Sequence, residues 1–334
     1  MSKKTEKKIG VIGSGSWATA IVKIISNNSN HINWFFRNKE DIEYLKKHKH
    51  NPRYLSSVDF ETKKLNLYND ISECVKNSDV IILAIPSAFL HSSIKSLSRH
   101  DLKNKVFFSA IKGIIPEYNL IVGEYLNKFY KIPFENIGVI TGPCHAEEVA
   151  MEKLSYLTLA CSNISNAEML SVYFNCRYIK TTNSDDIYGT EYSAVLKNVI
   201  ALAGGVCHGL GYGDNYLAVL VSNAIQEIKR FVDAVHPINR DINASAYLGD
   251  LLVTAYSQFS RNRMFGTMLG KGHSVKQAQL EMNMIAEGYY AVKCVYEINK
   301  KYKVDMPITT AVYNIIYLNK DPRSEIRELS EKLS

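Results

Sequence analysis

Clustered cysteine is what this chain most clearly lacks. Its six cysteines (Cys74, Cys144, Cys161, Cys176, Cys207 and Cys294) are scattered, with no C-x-x-C pair and no metal-like cluster. That pattern fits reduced thiols in a cytoplasmic compartment, each a small buried hydrophobe, and no metal is expected. No apolar run approaches the ~18–20 residues of a membrane span, so stable membrane insertion is not expected. Low-complexity tracts and internal repeats are also missing. Charge of one sign is not concentrated either: 40 Lys and Arg against 33 Asp and Glu leave +7, a mild excess for 334 residues. The basic residues are spread out rather than striped along one element. The balance suits attraction of small anions, and no nucleic-acid partner is expected. Lys3-Lys4…Lys7-Lys8 before an apolar stretch superficially resembles a secretory signal, but Gly13, Gly15 and Lys23 interrupt the apolar part, and Met1–Lys8 reads as a solvated tail.

What is present begins at Ile9. The run Ile9-Gly-Val-Ile12 reads as a buried parallel strand, breaks at Gly13 and Gly15, and resumes from Trp17 with helical apolar spacing. Strand, glycine turn and helix in that order form the context of a dinucleotide fingerprint, here G-x-G-x-x-A with Ala18 in the last place. Gly13 permits the tight turn. Gly15 lets a pyrophosphate approach the backbone, and the helix start offers N–H groups and a partial positive charge. A second strand, Ile32–Phe36, is followed by Arg37 and Asn38, where a carboxylate would bind the ribose 2′-hydroxyl of NAD. Arg37 suits a 2′-phosphate or an adenine face, or is simply exposed; the reading favours NADPH and keeps NADH.

Further strands are read at Ser78–Ile85, stopped by Pro86, at Val106–Ile111, and at Ile137–Ile140. The second of these, Val106–Ile111, delivers Lys112-Gly113 at its carboxyl end, where open α/β sheets place ligands. Two motifs are set aside. Cys144-His145-Ala-Glu147 lacks the P-C-x-x-C partner of a zinc deaminase. Gly266–Gly272 is one residue short of a P-loop and has no Ser or Thr after Lys271.

Thr181–Asp186 is the most polar break, and the domain boundary is placed there: a dinucleotide-binding domain over 1–186 and a helical substrate and catalytic domain over 187–334. The fold class is thus an α/β Rossmann-type doubly wound sheet followed by an all-α carboxyl-terminal domain. Tyr192, Val195, Leu196, Val199, Leu202 and Ala203 mark one helix face, with Lys197 and Asn198 embedded among them. Such a lysine snorkels to the surface or, if buried, becomes a proton donor of lowered pKa. Gly204-Gly205 and the glycines at 209, 211 and 213 are expected to end or bend that helix, and Tyr216–Val235 reads as a second long one. Asp250 lies in an apolar context. Ser260-Arg261-Asn262 combines hydroxyl, guanidinium and amide donors suited to a phosphate, or a helix cap beside an exposed arginine.

Eight segments, taken in order, resemble the NAD(P)-dependent glycerol-3-phosphate dehydrogenases. They are Gly13–Ala20, Asn51-Pro-Arg-Tyr54-Leu55, Ile111–Gly113, Gly142-Pro143…Ala146…Glu148-Val-Ala150, Leu196–Asn198, Gly249–Leu251, Ser260–Asn262…Phe265-Gly266, and Ala286–Gly288. The resemblance implies reversible reduction of dihydroxyacetone phosphate to sn-glycerol 3-phosphate with NADP or NAD, supplying glycerophospholipid synthesis. It implies Lys197 as general acid/base. Lys112, Gly142, Cys144, Asp250, Ser260, Arg261 and Asn262 would surround the substrate. Gly13, Gly15, Ser16, Trp17, Arg37, Asn38, Tyr54, Lys112, Ala146, Arg261, Ile285 and Glu287 would lie near the cofactor. Cys144 and His145 depart from the family's usual Ser or Thr and Phe, and a thiol is a weaker donor than a hydroxyl. A homodimer is allowed. The rival readings are another hydroxyacid or 3-hydroxyacyl-CoA dehydrogenase, which would leave Ser260–Asn262 without a purpose, and a silent nicotinamide-nucleotide sensor.

Overall fold

The computed structural model describes residues 6–257, 259–282 and 286–334. The chain forms two compact units. One comprises Met1–Ile85, Phe89–Ile111 and Val122–Ile187; the other comprises Pro86–Ala88, Lys112–Ile121 and Tyr188–Ser334.

The first unit is built on eight strands: β1 (Ile9–Ile12), β2 (Ile32–Phe35), β3 (Leu65–Tyr68), β4 (Val80–Leu83), β5 (Val106–Ser109), β6 (Ile137–Thr141), β7 (Ser155–Cys161) and β8 (Ile179–Ser184). They lie in the order β3-β2-β1-β4-β5-β6-β7-β8. All neighbours are parallel except β6 and β7. A parallel sheet must be covered on both faces, which is why β1 (IGVI) and β4 (VIIL) are apolar at every position but one and fully buried. Connecting segments include α1 (Ser16–Ile25), α2 (Lys39–His48), α3 (Ile71–Lys76), α4 (Ser87–Ile94), α5 (Val122–Tyr130), α6 (Ala146–Ala150) and α7 (Ile164–Phe174). The strand order reverses beside β1, which has β2 on one side and β4 on the other. The glycine turn leaves β1 at that switch point, the place where such sheets bind nucleotides.

One expectation is corrected by β8. The polar stretch from Thr181 is not a break, because its first four residues complete β8. This is an edge strand with β7 alone as neighbour, so alternate side chains can face water. At the opposite edge β3 (LNLY) escaped notice for the same reason. The inner strand β7 was also missed.

The second unit is all-helical over its long segment: α8 (Ile187–Gly209), α9 (Asp214–Val235), α10 (Asp250–Tyr256), α11 (Arg261–Gly270), α12 (Val275–Glu281), α13 (Glu287–Tyr302), α14 (Pro307–Tyr317) and α15 (Pro322–Ser330). Helix α8 is buried almost continuously from Gly189 to Cys207 and forms the centre of this core. Contrary to expectation, Gly204-Gly205 does not end it, since α8 runs on to Gly209. A Cβ on Gly205 would lie 2.2 Å from the Arg263 carbonyl oxygen, and one on Gly266 would lie 2.1 Å from that of Leu202. The glycines therefore let α8 and α11 cross backbone to backbone, and the P-loop look-alike at Gly266 is a helix contact. The buried Glu227 on α9 accepts from Ile308 N (2.8 Å), Thr309 N (3.0 Å) and Thr309 Oγ1 (2.6 Å), supplying the acceptors that the first turn of α14 lacks. Burial pushes its carboxyl up to about 7.

Candidate active site

In the sheet unit, the turn after β1 has the form a dinucleotide requires. Gly13 sits at φ +127°, and a Cβ there would lie 2.3 Å from the Ala84 carbonyl oxygen, so no other residue fits. A Cβ on Gly15 would meet nothing within 4 Å, so the backbone there borders open space. Gly15 is also the N-cap of α1 and brings no side chain to cap it, which leaves the helix start suited to a phosphate. The turn is held from two sides. The Trp34 indole donates to the Gly13 carbonyl (2.7 Å). The buried Asn51 carboxamide donates to Ser14 O (2.9 Å) and Thr19 Oγ1 (2.8 Å), while its oxygen accepts from Arg53 N (3.0 Å) and Tyr54 N (3.2 Å). Asn51 thus ties the loop bearing Tyr54 to the glycine turn at Ser14 and to the first turn of α1, which bears Ser16 and Trp17. Arg37 is exposed just beyond β2. The Asn69 carboxamide supports its backbone by donating to the carbonyls of Phe36 (2.9 Å) and Arg37 (2.8 Å). Asn38 caps no backbone group of α2 and donates weakly to Asp41 (3.4 Å). Gly142, Cys144 and Ala146 follow β6 in this unit, with Gly142 at φ +119° and Cys144 and Ala146 buried.

In the helical unit a separate cluster gathers Lys112, Lys197 and Asp250. Lys197 lies on α8 and is 4% exposed; Asp250, 1% exposed, is the first residue of α10, immediately after a π-helical turn at Ser245–Gly249. The Lys197 ammonium donates to one Asp250 oxygen, and Lys112 Nζ lies 3.5 Å from the other. Two ammonium groups therefore converge on one buried carboxylate. Burial pulls the Lys197 pKa down to about 7 from its ordinary value near 10.5; the Lys112 charge acts in the same direction, and Asp250 opposes both. An amine so placed can give or take a proton near neutral pH.

Ser260, Arg261 and Asn262 form the start of α11. Ser260 is its N-cap, accepting from Arg263 N (3.3 Å), and Arg261 is its first residue. Asn262 is buried and faces inward. It donates to Asn198 Oδ1 (2.9 Å) and accepts from Gly288 N (2.9 Å), and Asn198 in turn donates to the Lys112 carbonyl (2.6 Å). This amide chain links the start of α11 to the backbone of Lys112. Glu287 opens α13, with its carboxylate turned to Ser87. Ile285 lies outside the described residues.

The two halves of the sequence match two profiles: residues 8–167 the NAD-dependent glycerol-3-phosphate dehydrogenase N-terminus, and residues 186–327 the NAD-dependent glycerol-3-phosphate dehydrogenase C-terminus. The chain belongs to the NAD-dependent glycerol-3-phosphate dehydrogenase family. It is 33% identical over 332 residues to a glycerol-3-phosphate dehydrogenase [NAD(P)+] of Limosilactobacillus reuteri, covering 98% of this chain and 97% of that one. With the corresponding protein of Oceanobacillus iheyensis the identity is 31% over 326 residues, covering 98% and 94%. The crystal structure of glycerol-3-phosphate dehydrogenase from Coxiella burnetii superposes with a TM-score of 0.90 at 26% identity, covering 98% of this chain and 99% of that one. Membership makes the protein an NAD(P)-dependent oxidoreductase, with a role in lipid synthesis following from that identity.

Sequence reasoning gave no role to two residues of this dehydrogenase that its structure singles out. Asn198 stands out in the sequence only as a polar neighbour of Lys197 in an apolar helix face and as part of the Leu196–Asn198 segment, and Ser87 only follows the strand-ending Pro86. Neither carries a sequence signal of its own. A polar residue next to a buried lysine in an apolar helix is the one hint that could have pointed to Asn198.

Proposed function

We propose that the chain reduces dihydroxyacetone phosphate reversibly to sn-glycerol 3-phosphate, with Lys197 as the general acid/base. A nicotinamide cofactor, when bound, would supply the hydride needed at the carbonyl carbon. Charge then develops on the carbonyl oxygen, and the ammonium of Lys197 stabilises it and delivers the proton. Asp250 holds that ammonium in place, and Lys112 is the second cation fixing the site. The observation that carries this reading is the burial of Lys197 against Asp250 beside Lys112. The substrate's phosphate belongs at the start of α11. The Arg261 guanidinium and the helix dipole supply charge there, and Ser260 and Asn262 shape the turn through the bonds described above. Once held, the phosphate orients the three-carbon chain for transfer.

For the cofactor, Gly13, Gly15, Ser16 and Trp17 would cradle the pyrophosphate, and Arg37 would select the 2′-phosphate of NADPH. No helix among the described residues is long and apolar enough to cross a membrane. All six cysteines are free thiols, which supports a cytoplasmic setting.

The direct test follows NADPH and NADH oxidation at their absorbance band with dihydroxyacetone phosphate, a 2-keto acid and a 3-ketoacyl-CoA. Turnover with the phosphorylated ketone alone is expected; turnover with either alternative in its place would sink the assignment. In the same assay Arg37→Ala should lower the NADPH-to-NADH ratio of kcat/KM by about tenfold, one lost charge-assisted contact being worth roughly 1.5 kcal/mol. An unchanged ratio makes Arg37 a bystander. Gly15→Val tests the cradle. The open space around Gly15 predicts a small change in Tm, whereas the side chain would obstruct the pyrophosphate and raise KM for the nucleotide at least ~10-fold. A fully folded Gly15→Val variant with normal nucleotide KM would refute the cradle.

A further inference from the structure

Ser87 and Glu287 are 200 residues apart in sequence and joined by two hydrogen bonds. Ser87 N donates to Glu287 Oε1 at 3.0 Å, and the Ser87 hydroxyl donates to Oε2. Ser87 is completely buried. A carboxylate gripped by both donors of one residue is fixed in direction as well as distance. The backbone of Gly113 runs directly against this clamp. A Cβ at Gly113 would lie 2.4 Å from Glu287 Oε2 and 2.7 Å from Ser87 Oγ. One residue earlier, the Lys112 carbonyl is held by Asn198 at 2.6 Å. The peptide that carries Lys112 is therefore bracketed, by Asn198 on its carbonyl and by the Ser87–Glu287 pair at the next α-carbon.

We propose that Ser87 is a positioning residue: with Glu287 it sets the backbone of Lys112-Gly113, and so the placement of the Lys112 ammonium beside Asp250 and Lys197. The inference rests on the reading of Lys112 and Lys197 given above. It also accounts for Glu287, whose two carboxylate oxygens both engage Ser87. Without the Ser87 hydroxyl, Glu287 keeps one of its two bonds, and the surface supporting Gly113 loosens.

A rate measurement alone would not separate this from a general structural role, so the pH profile is the deciding readout. The charged groups facing Lys197 among the described residues are Asp250 from α10 and Lys112. Lys112 holds the Lys197 pKa down, so its retreat should let that pKa rise. In the direction of ketone reduction Lys197 must be protonated, and activity falls as pH rises through its pKa. Ser87→Ala should therefore lower kcat/KM about tenfold and move the falling limb to higher pH. Ser87→Thr keeps the hydroxyl and should restore most of the rate and the original limb. Glu287→Gln keeps an acceptor for Ser87 N–H, should give a smaller change of the same sign, and serves as the test if Ser87→Ala does not fold. A wild-type rate and limb in Ser87→Ala overturn the proposal, as does a lower rate with the limb unmoved. Lys112→Ala separates the two levels. If Lys112→Ala is fully active, the reading of Lys112 itself fails; if it is impaired while Ser87→Ala behaves as wild type, only the role of Ser87 fails.

Discussion

Lys197→Ala should lower kcat for dihydroxyacetone phosphate reduction by ~10²–10⁴-fold, the usual worth of a placed proton donor, while NADPH affinity, read by fluorescence titration, stays within a factor of about two. A group acting on the carbonyl oxygen, as proposed for Lys197, should show its loss in kcat more than in KM. The wild-type enzyme should show the matching pH signature. Burial brings the Lys197 pKa to about 7. Ketone reduction, which uses the ammonium, should fall as pH rises above that value. Alcohol oxidation, which uses the free amine, should fall as pH drops below it. Both limbs should vanish from the residual activity of Lys197→Ala. Near-normal turnover in that variant would remove Lys197 from the chemistry.

For Asp250→Asn the expected loss is of similar size, roughly 10²-fold at neutral pH, but with a different pH response. Asp250 is 1% exposed and is the carboxylate on which both lysines converge. Replacing it with a neutral amide of the same shape removes the influence that raises the Lys197 pKa and leaves burial and Lys112, which both lower it. The amine then sits mostly neutral at pH 7 and has no proton to give. Lowering the pH should recover part of the ketone-reducing activity, because the nitrogen is still there to be protonated. Lys197→Ala, having no nitrogen, should not recover. Breaking a buried pair from one side ordinarily costs about 3–5 kcal/mol, but an amine that can discharge avoids much of that, so the Tm should fall by less than this figure implies. A rate loss that pH does not relieve would show that Asp250 does something other than hold a charged lysine.

For most strands legibility followed the number of neighbours; the inner β7, whose Ser155, Tyr156 and Thr158 break its apolar run, is the exception. Strands β1, β4 and β5 lie inside a parallel sheet, and their near-continuous apolar runs announced them. At the edges, β3 and β8 each pair with one strand only, and Asn66, Lys180 and Asn183 gave them the look of loops. Glycine misled in a second way. At Gly13 it does what local reading expects, adopting a positive φ in a turn. At Gly205 and Gly266 it lies inside helices, where its use is visible only once the other helix is in place.

The order of residues by itself determined the glycine turn after β1, the change from sheet to helices near residue 187, and the list of charged and polar side chains set in apolar surroundings. Those are local matters, decided by spacing and by the cost of burying a charge. Which of those side chains meet was left to the tertiary structure. Lys112, Lys197 and Asp250 come from three separate stretches, and only the folded helical unit brings two ammonium groups onto one carboxylate. Ser87 and Glu287 meet the same way, because hydrogen bonding and charge pairing act over a few ångströms of space and are indifferent to distance along the chain.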